Sequence, residues 1–125
     1  MLAKIYDVIR HNDNRGWLAE ILREDILKHK IAQIYISYSK KNSIRGGHYH
    51  KRKIEWFYVI SGKARVFLRK FDETIEETFE ISDEDQKVIE IPPFVYHRLK
   101  VLTEEMLLLA GSSEVYNKDD PDTFD

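Results

Sequence analysis

The chain has 125 residues, the size of one domain. Hydrophobic residues make up 42% and charged residues 34% of it, a globular balance that is neither disordered nor membrane-like. Lys and Arg number 20 against 22 Asp and Glu, a formal net charge of −2. That near-cancellation argues against nucleic acid as a partner, since phosphate binding needs a basic excess or a basic face. No cysteine is present, which removes disulfides, zinc ribbons, iron–sulfur clusters and thiol nucleophiles together. A metal ion would have to be held by histidine and carboxylate.

The first residues, Met1-Leu-Ala-Lys-Ile-Tyr-Asp7, lack the apolar run of a signal peptide. No stretch approaches the ~20 apolar residues that a membrane-crossing helix needs. The expectation is a cytoplasmic protein without a membrane partner. Next comes a turn, Asp13-Asn-Arg-Gly16, and then Glu20 to Lys28, where Ile21, Leu22, Ile26 and Leu27 allow a short turn of helix. From there period-2 patterning dominates. Ile31–Tyr38, Ile54–Ile60, Ala64–Phe71, Thr74–Ile81, Lys87–Ile91 and Met106–Ala110 are rich in the β-branched and aromatic residues that fill a pleated surface. Arg45-Gly-Gly47, Ser61-Gly-Lys63 and Ser82-Asp-Glu-Asp85 separate them with turn chemistry. Many short strands at regular spacing predict an all-β sandwich or small barrel over residues 1–115. Residues 116–125 read as a polar C-terminal tail.

Three of the five histidines fall into one pattern. His48-Tyr49-His50 is strand-like, and alternation puts both imidazoles on one face. Glu55 follows five residues after His50, and Gly62 seven after Glu55. Pro92-Pro93-Phe94-Val95-Tyr96-His97 delivers a third imidazole after a proline-fixed bend. Antiparallel strands closing a barrel could bring His48, His50, Glu55 and His97 together. Three imidazoles and a carboxylate suit Zn, Fe, Mn, Ni or Cu, and the ligand set does not choose among them. His11 and His29 belong to no pattern. Trp56, Phe57 and Tyr58 suit core and dimer packing better than a sugar-stacking platform, and Lys51-Arg52-Lys53 suits a turn at a pocket rim.

This pattern resembles the two motifs of the cupin superfamily, Gly47-His48-Tyr49-His50 through Glu55 to Gly62, and Pro92 to His97. That family usually has glycine where Phe94 stands and often asparagine where Val101 stands. Asp13-Asn-Arg-Gly16 with Glu20, and Ser43-Ile-Arg-Gly-Gly-His-Tyr-His50, are similar to the signature stretches of the dTDP-4-dehydrorhamnose 3,5-epimerase group. Asp13 to Arg23, Glu55 to Lys63 and Pro121-Asp-Thr-Phe124 most resemble the C-terminal cupin domain of the bifunctional capsular-polysaccharide UDP-sugar epimerase/reductase. The His-x-His pair is also similar to that of the dTDP-sugar 3,4-ketoisomerases.

The resemblance implies an antiparallel double-stranded β-helix, the jelly-roll cupin barrel, and a homodimer that extends one subunit's sheet with strands from the other. It implies an isomerase that epimerises or keto-isomerises a nucleotide-diphosphate 4-keto-6-deoxysugar through an enolate, in polysaccharide biosynthesis. His48, His50, Glu55 and His97 are the expected metal ligands, for a divalent ion with zinc first. No nicotinamide or flavin is expected. His48, His50 and Tyr96 are the catalytic candidates, while Arg45, Lys53, Tyr38 and Tyr58 are candidates for holding the substrate. In the 3,5-epimerases the position of His48 is the base without a metal, glutamine usually stands at position 50, and the proton-donating tyrosine falls near Ala110. A nitrogen that binds a metal cannot also take a proton, so His48 can fill one of its two roles at a time. The alternatives are a non-catalytic sugar-binding module and a metal-dependent dioxygenase.

Overall fold

The computed structural model describes residues 1–125. Eleven strands and one short helix follow in chain order. They are β1 (Lys4–Asp7), β2 (Ile9–Asp13), β3 (Gly16–Glu20), α1 (Glu24–Leu27), β4 (Gln33–Lys40), β5 (Ile44–His48), β6 (Glu55–Ser61), β7 (Lys63–Lys70), β8 (Glu77–Ser82), β9 (Lys87–Ile91), β10 (Val95–Val101) and β11 (Glu105–Ser112). The larger sheet runs β1-β9-β6-β11-β4 and the smaller β5-β10-β7-β8, both antiparallel. They face each other as a jelly-roll barrel. The hairpin β2–β3 forms a separate two-stranded sheet. No helix is long and apolar enough to cross a membrane.

The inner faces supply one core built from Phe57, Val59, Val66, Leu68, Ile89, Ile91, Leu99, Val101, Met106 and Leu108. Strand β10 shows why. Val95, His97, Leu99 and Val101 are buried, while Tyr96, Arg98 and Lys100 alternate outward. Strand β6 departs from this alternation, because both its faces are covered. Phe57 and Val59 enter the core, and Trp56 and Tyr58 pack on the outer side with Leu27 and Val88. That double burial explains the unbroken apolar run Trp56–Ile60. Helix α1 is a single turn ended by Lys28 in the left-handed region (φ 63°), and it seals this outer cluster with Leu27.

Two glycines set the geometry near the motif residues. Gly46 lies at φ +80°, and a Cβ there would sit 2.7 Å from the His97 carbonyl oxygen. Glycine therefore permits β5 to approach β10 closely enough to pair His48 with His97. Gly62 (φ +102°) turns the β6–β7 hairpin against the Glu105 carbonyl. Phe94, standing where the resembled family has glycine, does adopt a left-handed conformation (φ 66°). Its N–H donates to the His50 carbonyl at 2.7 Å, its own carbonyl accepts from Phe71 N–H at 2.9 Å, and its ring packs against that of Phe71. These contacts hold a conformation that costs an L-residue ~1–2 kcal/mol.

Residues 116–125 do not trail away from the barrel. Asp122 is buried, and Phe124 forms an isolated bridge with Tyr49.

Candidate active site

The register of the small sheet and the start of β6 bring the four motif residues together. His97 in β10 is the cross-strand partner of His48 in β5. His50 lies just beyond β5, and Glu55 opens β6. The four possible ligand atoms lie within 4.8 Å of one another. The ring centroids of His48 are 4.8 Å from those of His50 and 4.9 Å from those of His97. His97, His50 and Glu55 are buried at 0%, 3% and 5% exposure, whereas His48 is half-buried at the cavity surface.

Hydrogen bonding fixes which ring atoms face inward. His50 Nδ1–H donates to the Asp122 carbonyl at 2.6 Å, and His97 Nδ1–H donates to the Val95 carbonyl at 3.0 Å. Each Nε2 then points at the same carboxylate oxygen, Glu55 Oε1, at 2.5 Å from His50 and 3.1 Å from His97. A neutral ring that carries its proton on Nδ1 has only a lone pair at Nε2. Lone pairs would thus meet an anionic oxygen inside the barrel, where such contacts are expensive. At 2.5 and 3.1 Å these contacts have hydrogen-bond length, so protons bridge them as they stand, and a metal ion shared by the three groups would hold them farther apart. Imidazole nitrogens and a carboxylate oxygen are a donor set that fits a divalent metal ion, and backbone carbonyls already orient the His50 and His97 rings as ligating histidines require.

The electrostatics agree. Burial opposes ionisation of Glu55, yet the hydrogen bonds and charges of His50 and His97 outweigh it and hold the carboxyl well below its usual range. His48 is pushed down to about 4, first by burial and then by the neighbouring His97 and His50. It is therefore neutral at neutral pH, with a lone pair free for a metal or a proton.

Above these groups the cavity has two lobes. One, of about 290 Å³, includes Gln33, Tyr35, His48, Lys53, Glu114 and Tyr116 in its lining. The other, of about 220 Å³, runs over an apolar floor of Phe57, Leu99 and Leu108, with Ser37 and Arg45 at its wall. Tyr35, His48 and Glu55 border both lobes. Lys53 is buried at the wall of the first lobe. Arg45 is steadied by Ser39 Oγ (2.6 Å from Nε) and the Tyr38 carbonyl (2.7 Å from Nη2), which leaves further guanidinium donors.

Three tyrosines named from the sequence are not brought to the cavity. Tyr38 lies on the outward face of β4 beside Glu105. Tyr58 packs in the outer cluster beneath α1. Tyr96 points away from its neighbour His97 and stacks beneath the Arg69 guanidinium, 4.0 Å away. The tyrosine that borders both lobes is Tyr35. Burial, and then the Glu55 charge, push its hydroxyl up to about 12 against the opposing pull of Arg45. It stands directly across from Ala110 in the β4–β11 register. The pattern of β4 carries the signal: its inward parity is polar (Gln33, Tyr35, Ser37, Ser39), and its outward parity holds Ile34, Ile36 and Tyr38. A strand that turns its polar face inward is lining a cavity.

A two-sheet jelly roll with three histidines and a glutamate gathered inside its mouth is the architecture of a cupin. Within that class, residues 11–124 match the model of the polysaccharide biosynthesis C-terminal domain, and the chain belongs to this family. It is 31% identical to the spore coat polysaccharide biosynthesis protein SpsL of Bacillus subtilis, over 96% of this chain and 84% of that protein. It is 32% identical to a UDP-2-acetamido-2,6-beta-L-arabino-hexul-4-ose reductase of Pseudomonas aeruginosa, over 95% of this chain. The chain spans only 31% of that reductase's length. Among solved structures, the QdtA 3,4-ketoisomerase of Thermoanaerobacterium thermosaccharolyticum, in complex with TDP, superposes with a TM-score of 0.84 at 26% identity, covering 98% of this chain and 86% of that one.

Proposed function

We propose that the protein is an isomerase that epimerises or keto-isomerises a nucleotide-diphosphate 4-keto-6-deoxysugar through an enolate, in polysaccharide biosynthesis. The observation that carries this reading is that His48, a neutral ring, and Tyr35 border the same two cavity lobes, with His48 gathered against the buried His50–Glu55–His97 group. The sugar-biosynthetic relatives support it.

Moving a proton next to a ketone needs a base, a donor and something to hold the enolate charge. His48 is the proton acceptor by position, a neutral ring bordering both lobes, and because its low pKa makes it a weak base the enolate has to be stabilised by the groups around it. Tyr35 keeps its proton at neutral pH and is the donor. This replaces Tyr96 in that role. His50, Glu55 and His97 would hold a divalent metal, zinc first, in a three-ligand set that keeps an open position. When bound, such an ion polarises the sugar ketone and stabilises negative charge. Lys53 and the free donors of Arg45 would receive the diphosphate. The apolar floor of Phe57, Leu99 and Leu108 suits a 6-deoxy methyl group.

A cytoplasmic homodimer completes the reading. Strand β4 is an open edge of the larger sheet, and its outward Ile34, Ile36 and Tyr38 are 57%, 61% and 47% exposed. An unpaired edge of this kind is a ready template for pairing with a second chain.

The test is NMR of UDP- and dTDP-linked 4-keto-6-deoxyhexoses in deuterated water with zinc supplied. Deuterium should enter at a carbon beside the ketone, and product signals distinguish epimerisation from carbonyl migration. His48→Ala should slow exchange at least ~100-fold and still bind metal. Tight binding without exchange would instead mark a non-catalytic sugar-binding module.

A further inference from the structure

The C-terminal segment meets the site-bearing stretch 49–53 at nearly every residue. Asp122, 2% exposed, sits in the left-handed region at φ 51°. Its carboxylate receives three successive backbone N–H groups, Lys51 at 2.9 Å on Oδ1, and Arg52 at 3.1 Å and Lys53 at 3.0 Å on Oδ2. Its carbonyl accepts the Nδ1–H of His50 at 2.6 Å. Two residues on, Phe124 exchanges both backbone hydrogen bonds with Tyr49, at 2.9 and 3.0 Å, and stacks on the Tyr49 ring at 5.6 Å. The Lys51 ammonium lies 4.2 Å over the Phe124 ring, and Arg52 pairs with Asp120 and Glu114. Thr123 lines the same lobe as His50 and Lys53.

We propose that Asp122 is a positioning residue of the site, and that docking of the segment Pro121–Phe124 sets the tautomer and aim of the His50 ring. The chemistry is direct. A backbone carbonyl can only accept, so it holds the ring proton on Nδ1 and turns the Nε2 lone pair toward Glu55 and any ion beside it. The carboxylate of the same residue locks the turn from which His50 and Lys53 reach the cavity. This inference rests on the reading that His50 ligates a metal, and it adds a part of the chain that lies outside both cupin motifs.

The experiment is long-range ¹H–¹⁵N NMR of the histidine rings in metal-free protein at about pH 8, paired with zinc titration. The wild type should show His50 protonated on Nδ1, whether or not a second proton sits on Nε2 facing Glu55. Asp122→Ala should populate the Nε2–H tautomer and weaken zinc binding by about 10- to 100-fold, the range seen when an outer partner of a metal ligand is lost. Asp122→Asn tolerates the left-handed backbone and keeps one acceptor oxygen, so it should fall between the two. A wild-type tautomer with zinc affinity within about twofold of wild type in a folded Asp122→Ala protein would overturn the proposal. Should that variant fail to fold, the same two readings on Asp122→Asn and on a chain ending at Asp120 decide it, wild-type values in both overturning it. Neither reading requires turnover. A shifted tautomer in a protein that exchanges no sugar proton would keep this inference and discard the proposed reaction.

Discussion

The depressed pKa of His48 has a consequence for stability with a definite sign. The unfolded chain binds a proton on this ring below 6.5, and the folded chain only below about 4. Acidification through that window therefore favours unfolding, and below both values the penalty is constant. At ~1.36 kcal/mol per pH unit, a drop from about pH 7.5 to about pH 5 would cost about 2 kcal/mol if the ring were fully sealed. His48 is half-buried at the cavity mouth, so solvent screening reduces this to about 1 kcal/mol. In a domain of this size that is a fall in Tm of roughly 3–6 °C. The assay is calorimetry of protein stripped with a chelator, comparing wild type with His48→Gln. Subtracting the variant's pH dependence removes the contributions of the distant His11 and His29, while the coupling of His48 to His50 and His97 stays in the difference. The variant's curve should be flatter by about 1 kcal/mol across the window. Parallel curves would mean that folding does not depress the His48 pKa, and the burial and electrostatic argument for this ring would fail with them.

Three further outcomes follow from the packing. Gly46→Ala, with its Cβ 2.7 Å from the His97 carbonyl and a φ of +80°, should cost about 2 kcal/mol or more in urea denaturation and weaken zinc binding, since it parts β5 from β10. Wild-type stability would refute that role for the glycine. Trp56→Phe keeps most of the buried ring volume but removes the Nε1–H that donates to Glu90 Oε1 at 2.8 Å. Leaving that buried carboxylate short of a donor should cost about 1–3 kcal/mol by thermal melting. Ile36→Glu, on the outer face of the β4 edge, should convert a dimer to a monomer in light scattering while leaving Tm of the monomer nearly unchanged. A wild type that runs as a monomer would remove β4 as an interface.

Most of the barrel was readable from alternation. The segments 31–38, 54–60, 64–71, 74–81, 87–91 and 106–110 all contain strands of the structure, displaced by a few residues at their ends. Strand β10 was less visible, because Arg98 and Lys100 break the apolar look of a segment whose inward residues are regularly spaced. The hairpin β2–β3 is mostly exposed and polar, so it leaves no burial pattern to detect. Spacing, together with the resemblance to the two cupin motifs, pointed to His48, His50, Glu55 and His97, whose ligand atoms lie within 4.8 Å of one another.

The tyrosines were not readable in the same way. Tyr35 and Tyr38 differ only in parity, and their faces are assigned by the pairing of β4 with β11. The usual rule that apolar residues face inward picks the wrong parity here, because Ile34 and Ile36 face out and the cavity takes the polar set. The polar composition of residues 116–125 likewise concealed their docking. Asp122 is held by backbone N–H groups of residues 51 to 53, a contact across some seventy residues that leaves no local trace.

The account rests on two imidazole Nε2 atoms facing one carboxylate oxygen, a set proposed to share a metal ion. Anomalous diffraction at the zinc absorption edge, from crystals grown with zinc, tests it most directly. One strong peak should appear bounded by His50 Nε2, His97 Nε2 and Glu55 Oε1, and it should persist in His48→Ala crystals. An empty map at that point, or a peak that vanishes with His48 alone, would contradict the division of the site into three ligands and one free base.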